Sequence, residues 1–112
     1  MDNGAHQDRR ARAHWPIRLI GASGRIASGW VWDVSESGMG LVSPVFMPVG
    51  AVVQTALAIP NPKDVRRSLA VQASVRVVFS AFVGKQARLG VQLLGLPLEV
   101  RAAIRSYLLR CG

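Results

Sequence analysis

The sequence predicts an all-β domain: a six-stranded antiparallel β-barrel with a flexible basic arm at its N-terminus and a short α-helix at its C-terminus. Three observations lead to this prediction. With 112 residues, the chain is long enough for one hydrophobic core and too short for two. Apolar residues recur at every second position in short stretches separated by turn-forming residues, which is typical of antiparallel strands. Near the C-terminus this period changes to helical spacing.

The first 14 residues, MDNGAHQDRRARAH, are polar throughout, so we expect a mobile arm (1–14) ahead of a single domain over residues 15–110. This arm lacks the apolar centre of a secretory signal. No later stretch approaches the ~18 uninterrupted apolar residues of a membrane-spanning helix. We therefore expect a cytoplasmic protein that does not insert into a membrane. Cys111 is the only cysteine, which excludes an internal disulfide and a cysteine-based metal site.

Two strands show the alternation most clearly. From Leu69 to Phe79 the odd positions are apolar and predicted to face the core, with Gln72, Ser74 and Arg76 between them. The stretch 86–94 repeats the pattern. Further strands are predicted at 16–21, 25–34, 39–43 and 51–59, with glycine- and proline-rich turns between them. Closing such strands into a barrel removes exposed sheet edges.

The last element is predicted to be one amphipathic helix. Pro97 suits a first helical turn, and the apolar residues that follow at helical spacing are Val100, Ala103, Ile104, Tyr107 and Leu108. The arginines of this segment fall mainly on the opposite face of the helix. We expect this helix to plug an open end of the barrel or to lie against its flank.

The charge balance indicates an anionic ligand or partner. The chain has 14 Lys+Arg against 6 Asp+Glu, a net charge of +8, and only Lys63 and Lys85 among the basic residues are lysines. Arginine binds phosphate with two parallel N–H groups and stacks on flat rings, which lysine does not do. The question is therefore which anion the arginines bind.

Catalytic chemistry is not indicated. The acidic residues are scattered over arm, turns and helix, and both histidines, His6 and His14, lie in the predicted arm. There is no glycine-rich phosphate loop that opens a helix and no nucleophile elbow. His6 and Asp8 could be imagined as metal ligands, but residues on a solvated arm do not form a rigid site. We predict that the protein is not an enzyme and binds no metal.

The most informative segment is the loop DVSESG at residues 33–38, which follows a strand containing Trp30 and Trp32. Asp33 and Ser35 are two residues apart, so both can point to one side at a strand end. A carboxylate there can accept hydrogen bonds from the N1–H and N2–H₂ groups of guanine. Gly38 would allow a positive φ and a close approach to a ligand. The alternative is a hairpin turn in which Asp and Ser bond only to their own backbone.

The segment DVSESGMGL at residues 33–41 resembles the [D/N]-x-S-x-x-G signature of PilZ domains, and the order of arm, paired strands and terminal helix extends the resemblance over residues 9–110. It implies a barrel that binds the bacterial second messenger cyclic di-GMP. In that family an arm motif R-x-x-x-R clamps the phosphates and stacks on the guanines, and the turn holds a guanine. Asp33, Ser35 and Gly38 match the signature, and the arm residues expected to bind are Arg9, Arg10 and Arg12.

The arm departs from the R-x-x-x-R motif. The motif can be placed on the arm in two frames, and in each of them one of the two arginines is replaced by a histidine. The pairs are His6 with Arg10 and Arg10 with His14. Histidine is mostly neutral at pH 7, so the arm is short of one charge-assisted bond. That bond is worth about 1.5–3 kcal/mol, roughly tenfold to a hundredfold in affinity. Three arginines within four residues could compensate by a shift of register.

Two other interpretations stay open. One is a PilZ-like protein that binds no nucleotide and acts as an interaction partner in type IV pilus assembly or motility. The other is a nucleic-acid-binding barrel, suggested by the net charge of +8. Trp30 and Trp32 share a strand face and could form a stacking surface, although we expect them to line the core or a ligand pocket. We expect an effector protein as the macromolecular partner, and no nucleic acid.

Overall fold

In the computed structural model, residues 9–21 and 23–111 are described, and they form six strands and one helix. The elements in chain order are β1 (Ala11–Ile20), β2 (Ile26–Val34), β3 (Gly38–Ser43), β4 (Val52–Asn61), β5 (Asp64–Val83), β6 (Gln86–Leu94) and α1 (Leu98–Cys111). All six strand pairings are antiparallel, and the order β1-β2-β3-β6-β5-β4 closes on itself through the pairing of β4 with β1. The predicted six-stranded barrel with a C-terminal helix is confirmed.

The barrel interior is lined by the residues that the period of two assigned to the core. Val71, Val75 and Val77 of β5 are buried, and Leu89 and Val91 of β6 face them. Each buried aliphatic side chain stabilises the fold by about 1.5–3 kcal/mol relative to its exposed state. The alternation in the sequence therefore identifies the core residues, because the apolar side chains at the inward positions of these strands are removed from water.

Strand β1 begins at Ala11, whereas residues 11–14 were predicted to belong to the arm and the first strand to start at residue 16. Arg12 pairs with Asp33 of β2, and the register then shifts between Arg12 and Trp15. Burial nevertheless alternates without a break from Ala11 to Leu19, with Arg12 and His14 outward. The strand was missed because the inward positions before Trp15 are Ala11 and Ala13, whose small side chains give only a weak apolar pattern.

Strand β5 is twenty residues long and exceeds the predicted 69–79 at both ends. A register shift between Val77 and Phe79, opposite Gly90, reverses which positions face inward. Phe79 is consequently 55% exposed. The prediction that Phe79 faces the core is therefore wrong.

Helix α1 lies against β1 and β4, which pair with each other only over Ile17–Ile20 and Gln54–Leu57. The helix begins directly after Pro97, whose carbonyl accepts the N–H of Arg101 at 3.0 Å. Its buried side chains are Val100, Ala103, Ile104 and Leu108. The predicted amphipathic helix that packs against the barrel is therefore present. Within residues 9–21 and 23–111, no helix is long and apolar enough to cross a membrane.

Candidate functional site

The DxSxxG turn (residues 33–38) is closed by hydrogen bonds of Ser35. This residue is fully buried, and its hydroxyl donates to the Gly38 carbonyl at 3.3 Å and accepts the Gly38 N–H at 3.1 Å. The backbone N–H of Ser35 also donates to the Gly38 carbonyl, at 2.8 Å. The sequence analysis left open a hairpin turn in which Asp33 and Ser35 bond only to the turn's own backbone. For Ser35 this alternative is correct. Its hydroxyl fixes the shape of the turn from inside the protein.

A glycine is required at position 38 because strands β3 and β6 approach each other closely there. The glycines with a positive φ among the described residues are Gly24, Gly50, Gly84 and Gly95, so the expected positive φ at Gly38 is wrong. A Cβ atom at Gly38 would lie 2.4 Å from the carbonyl oxygen of Val91 in β6. Any side chain here would collide with the backbone of the neighbouring strand. Gly38 thus allows the turn to sit directly on β6.

Asp33 and Arg10 form a two-point ion pair on the outer face of the barrel. The Arg10 Nε–H donates to Asp33 Oδ2 at 3.1 Å, and the Nη2–H donates to Oδ1 at 2.9 Å. The Arg10 side chain is 47% exposed and that of Asp33 is 20% exposed. The structure therefore brings together one predicted site residue from the arm and one from the turn.

Two further basic residues contact the outer side of β2. The Arg12 guanidinium lies 5.3 Å from the centre of the Trp32 ring, and His14 stacks on Trp30 with ring centres 4.3 Å apart and planes 5° apart. Together with Arg10, these residues occupy alternate positions along an extended segment, and such positions project to one side. We call residues 9–14 the basic segment. Arg9, its first residue, is exposed.

Trp30 and Trp32 both lie outside the barrel core. Trp30 is 43% exposed and Trp32 is partly exposed, whereas Trp15 of β1 is buried. The guanidinium of Arg88 in β6 lies 4.5 Å from the centre of the Trp32 ring. Sequence analysis did not single out Arg88, because only the register of β6 places it beside Trp32.

Two shallow depressions flank the DxSxxG turn. One, of about 340 Å³, is bounded by Arg10, Gly38 and Met39 together with Gln92 of β6. The other, of about 270 Å³, includes Glu36 and Arg101. Ser37 and Gln92 line both of them. A larger depression of about 500 Å³ lies across β1, β2 and β4 and contains none of the predicted site residues.

Helix α1 contacts both the turn and the basic segment. The Arg105 guanidinium donates to Glu36 Oε1 at 3.0 and 3.3 Å, and the Tyr107 hydroxyl donates to the Arg12 carbonyl at 2.5 Å. Tyr107 also packs edge-on against Trp15, with ring centres 4.9 Å apart. The chain does contain one R-x-x-x-R sequence, at residues 101–105, but it lies on the helix, where Arg105 contacts Glu36 of the turn.

Within residues 9–21 and 23–111, no group of three His, Cys, Asp or Glu side chains could hold a metal ion. His6 and Asp8, the residues considered as ligands in the sequence, lie outside the described residues.

The molecule is thus a closed six-stranded barrel with a C-terminal helix, and Arg10 lies beside its DxSxxG turn. The PilZ domain family model matches residues 6–110. The chain therefore belongs to the PilZ domain family, which confirms the resemblance noted in the sequence. A comparison with curated proteins finds no match.

Solved structures share this fold at low sequence identity. The inhibitor of motility MotI/DgrA of Bacillus subtilis superposes with a TM-score of 0.81 at 10% identity, over 98% of this chain and 51% of that chain. The PilZ domain of Escherichia coli YcgR with c-di-GMP gives 0.68 at 14% identity, over 94% and 89%. MrkH of K. pneumoniae gives 0.72 at 13% identity, over 99% and 50%. This chain thus spans about half the length of MotI/DgrA and MrkH.

Proposed function

We propose that this domain binds cyclic di-GMP on the outer face of the barrel, where the basic segment meets the DxSxxG turn. The observation that carries the proposal is the two-point pairing of Arg10 with Asp33. The Asp33 carboxylate accepts two parallel N–H groups from one flat cation. The N1–H and N2–H₂ groups of guanine offer the same pair of donors. Asp33 is therefore positioned to accept a guanine once Arg10 moves away.

Each predicted site residue has a distinct role in this proposal. Asp33 accepts the guanine edge, and Arg10 moves from this carboxylate to a phosphate of the ligand. The exposed Arg9 contacts phosphate as well, and Arg12 or His14 can replace it there. Ser35 and Gly38 act through the turn: the buried hydroxyl closes it, and the missing side chain lets it rest on β6.

The structural comparisons support a cyclic di-GMP ligand. The YcgR structure that superposes on 94% of this chain is a PilZ domain with c-di-GMP. MrkH is described as a c-di-GMP-dependent transcription regulatory factor. With the ligand bound, the basic segment would adopt a new arrangement and present a changed surface to an effector protein. Part of the binding free energy would be spent on breaking the Arg10–Asp33 ion pair.

Calorimetric titration with cyclic di-GMP tests the proposal. We expect the wild type to bind, and Arg10→Ala and Asp33→Asn each to weaken binding by about tenfold or more, because a charge-assisted hydrogen bond is lost. Arg67→Ala is the matched control, since it removes an 80% exposed arginine near the start of β5. No heat from the wild type at high micromolar nucleotide, with Arg10→Ala indistinguishable from it, would contradict the proposal.

The frame of the arm motif can be tested separately. Arg10 and His14 project to the same outer side and contact β2, as the frame Arg10–His14 requires, and His6 lies outside the described residues. We therefore expect His14→Arg to raise the affinity for cyclic di-GMP by supplying a permanent charge. A gain from His6→Arg, with none from His14→Arg, would place the motif one step earlier.

The second candidate is an adaptor that binds no nucleotide and acts in pilus assembly or motility. Two observations favour it. Either frame of the arm motif has a histidine in place of one arginine, and Arg10 is already paired with Asp33. The similar structure MotI/DgrA is an inhibitor of motility. A pull-down from a pilus-bearing bacterium, with and without cyclic di-GMP, separates the two candidates. Captured partners that depend on the nucleotide would exclude the adaptor-only function.

A further inference from the structure

Trp32 is a tryptophan on the outer face of the barrel with two guanidinium groups beside it. Arg12 of β1 lies 5.3 Å and Arg88 of β6 lies 4.5 Å from the centre of its ring. Among the described residues, neither arginine forms an ion pair with a carboxylate. Both contacts are of the cation–π kind.

A β-bulge places Trp32 next to Asp33 on the same side of the sheet. Val31 pairs with Leu41 of β3 and Asp33 pairs with Gly40, so Trp32 is the extra residue of β2. Successive strand residues normally point to opposite faces, and a bulge cancels this alternation locally. The stacking residue and the guanine-accepting carboxylate therefore become neighbours.

Gly40 provides the space beneath this pair. A Cβ atom at Gly40 would lie 2.4 Å from Asp33 Oδ1 and 2.6 Å from Trp32 Nε1. Both side chains thus lie over Gly40 of β3, where no side chain opposes them. From there the Trp32 ring reaches Arg88 on the far side of β3.

Packing of the barrel core does not account for Trp32. Trp15 is 7% exposed and belongs to the core, whereas Trp32 is partly exposed on the outer surface. An exposed indole beside arginines is the arrangement with which proteins bind nucleobases, because every base presents a flat face to stack on.

We propose that Trp32, Arg12 and Arg88 form a stacking subsite for a guanine ring of cyclic di-GMP, adjacent to the edge-binding site at Asp33. This inference rests on the proposed function and adds residues outside the DxSxxG and R-x-x-x-R motifs. The two parts of the site differ in selectivity. Asp33 distinguishes guanine from adenine by its hydrogen bonds, whereas Trp32 contributes affinity for either purine.

Calorimetric and fluorescence titrations with cyclic di-GMP and cyclic di-AMP test the subsite. We expect Trp32→Leu to weaken cyclic di-GMP binding by about tenfold to a hundredfold, the range for loss of one base–aromatic stack. Trp32→Phe should fall in between, and Arg88→Gln should weaken binding without removal of the ring. Asp33→Asn should reduce the preference for cyclic di-GMP over cyclic di-AMP, and Trp32→Leu should leave that preference unchanged.

Fluorescence gives a readout that a purely structural role of Trp32 would not change. Nucleotide addition should quench tryptophan emission in the wild type and cause a much smaller change in Trp32→Phe. Phe82→Leu is the control, since it removes a 68% exposed aromatic ring that stacks on Phe46. It should bind like the wild type.

The outcomes separate this inference from the proposed function. Wild-type binding with unchanged affinity in Trp32→Leu, and with full quenching in Trp32→Phe, would overturn the stacking subsite and leave the proposed function intact. Absence of wild-type binding would overturn both. Should Trp32→Leu unfold, as seen by circular dichroism, then Trp32→Phe and Arg88→Gln decide the question.

Discussion

The DxSxxG turn and the basic segment face each other across the candidate site, and they are built in opposite ways. The turn is closed by the buried Ser35 and rests on the backbone of β6 at Gly38. The basic segment is anchored where Ala11 and Arg12 pair with β2, but its basic side chains are exposed, such as the Arg10 guanidinium on Asp33. The turn is fixed by packing, whereas the basic side chains are held by contacts that a ligand can replace.

This difference has an energetic consequence. Loss of a partner for a buried polar group costs about 1–3 kcal/mol, whereas an exposed ion pair contributes about 0–1 kcal/mol. Changes in the turn should therefore lower the stability of the fold. Changes in the basic segment should leave stability nearly intact and act on ligand binding.

Gly38→Ala should have the largest effect on stability. Its Cβ would lie 2.4 Å from the Val91 carbonyl oxygen, so β3 and β6 would have to separate. We expect a loss of about 3 kcal/mol in the free energy of unfolding, at the upper end for overpacking. Urea denaturation measures it. Gly21→Ala is the control, because its nearest neighbour, the Arg25 carbonyl oxygen, would be 3.7 Å away. Equal stability of the two variants would show that the turn is not fixed by packing.

Ser35→Ala should come next. Without the hydroxyl, the buried N–H of Gly38 loses the acceptor now at 3.1 Å, and the expected loss of unfolding free energy is about 2 kcal/mol. The exposed Ser28 of β2 gives the matched control Ser28→Ala, which should change stability by less than about 0.5 kcal/mol. If thermal and urea unfolding show the same stability for both, the turn does not depend on its buried hydroxyl.

Tyr107→Phe should have a smaller effect, because it removes one hydrogen bond at the border of the basic segment. The phenylalanine keeps the ring against Trp15 but cannot donate to the Arg12 carbonyl. We expect a loss of about 1 kcal/mol in the free energy of unfolding. Amide hydrogen exchange should rise at the start of β1 and remain unchanged in β5. A uniform rise along the chain would mean that this bond does not act locally.

Arg10→Ala should have the smallest effect on stability. The Arg10–Asp33 pair is partly exposed, so we expect the unfolding free energy to change by less than about 1 kcal/mol. A double-mutant cycle with Asp33→Ala measures the coupling of the two side chains. A coupling well above that limit would place the basic segment among the fixed parts of the site and contradict the comparison.

The sequence was sufficient to predict the parts of the fold that follow one local period. β5 and β6 alternate over most of their length, so the core positions Val71, Val75 and Leu89 could be assigned before the structure. The early start of β1 was missed because its first inward residues, Ala11 and Ala13, carry little apolar surface. The exposure of Phe79 depends on a β-bulge, which is defined by the pairing of two strands and is not visible in one strand alone.

The candidate site was predictable to the same extent. The DxSxxG motif located the turn, but the reason for Gly38 is the approach of Val91 from a strand about fifty residues away. The pairing of Arg10 with Asp33 and of Arg88 with Trp32 likewise depends on the register of β1 and β6. Residue types were visible in the sequence, and their partners were not.

The most direct test of the account is the response of the three tryptophan indole N–H signals to cyclic di-GMP in nuclear magnetic resonance spectra. Trp32 lies at the proposed site, and Trp15 is buried in the core. We predict a large shift of the Trp32 signal and of the backbone amides of residues 9–14 and 33–40, with Trp15 unchanged. Shifts confined to the opposite end of the barrel, around Phe46 and Phe82, or no shift at high micromolar nucleotide, would contradict the account.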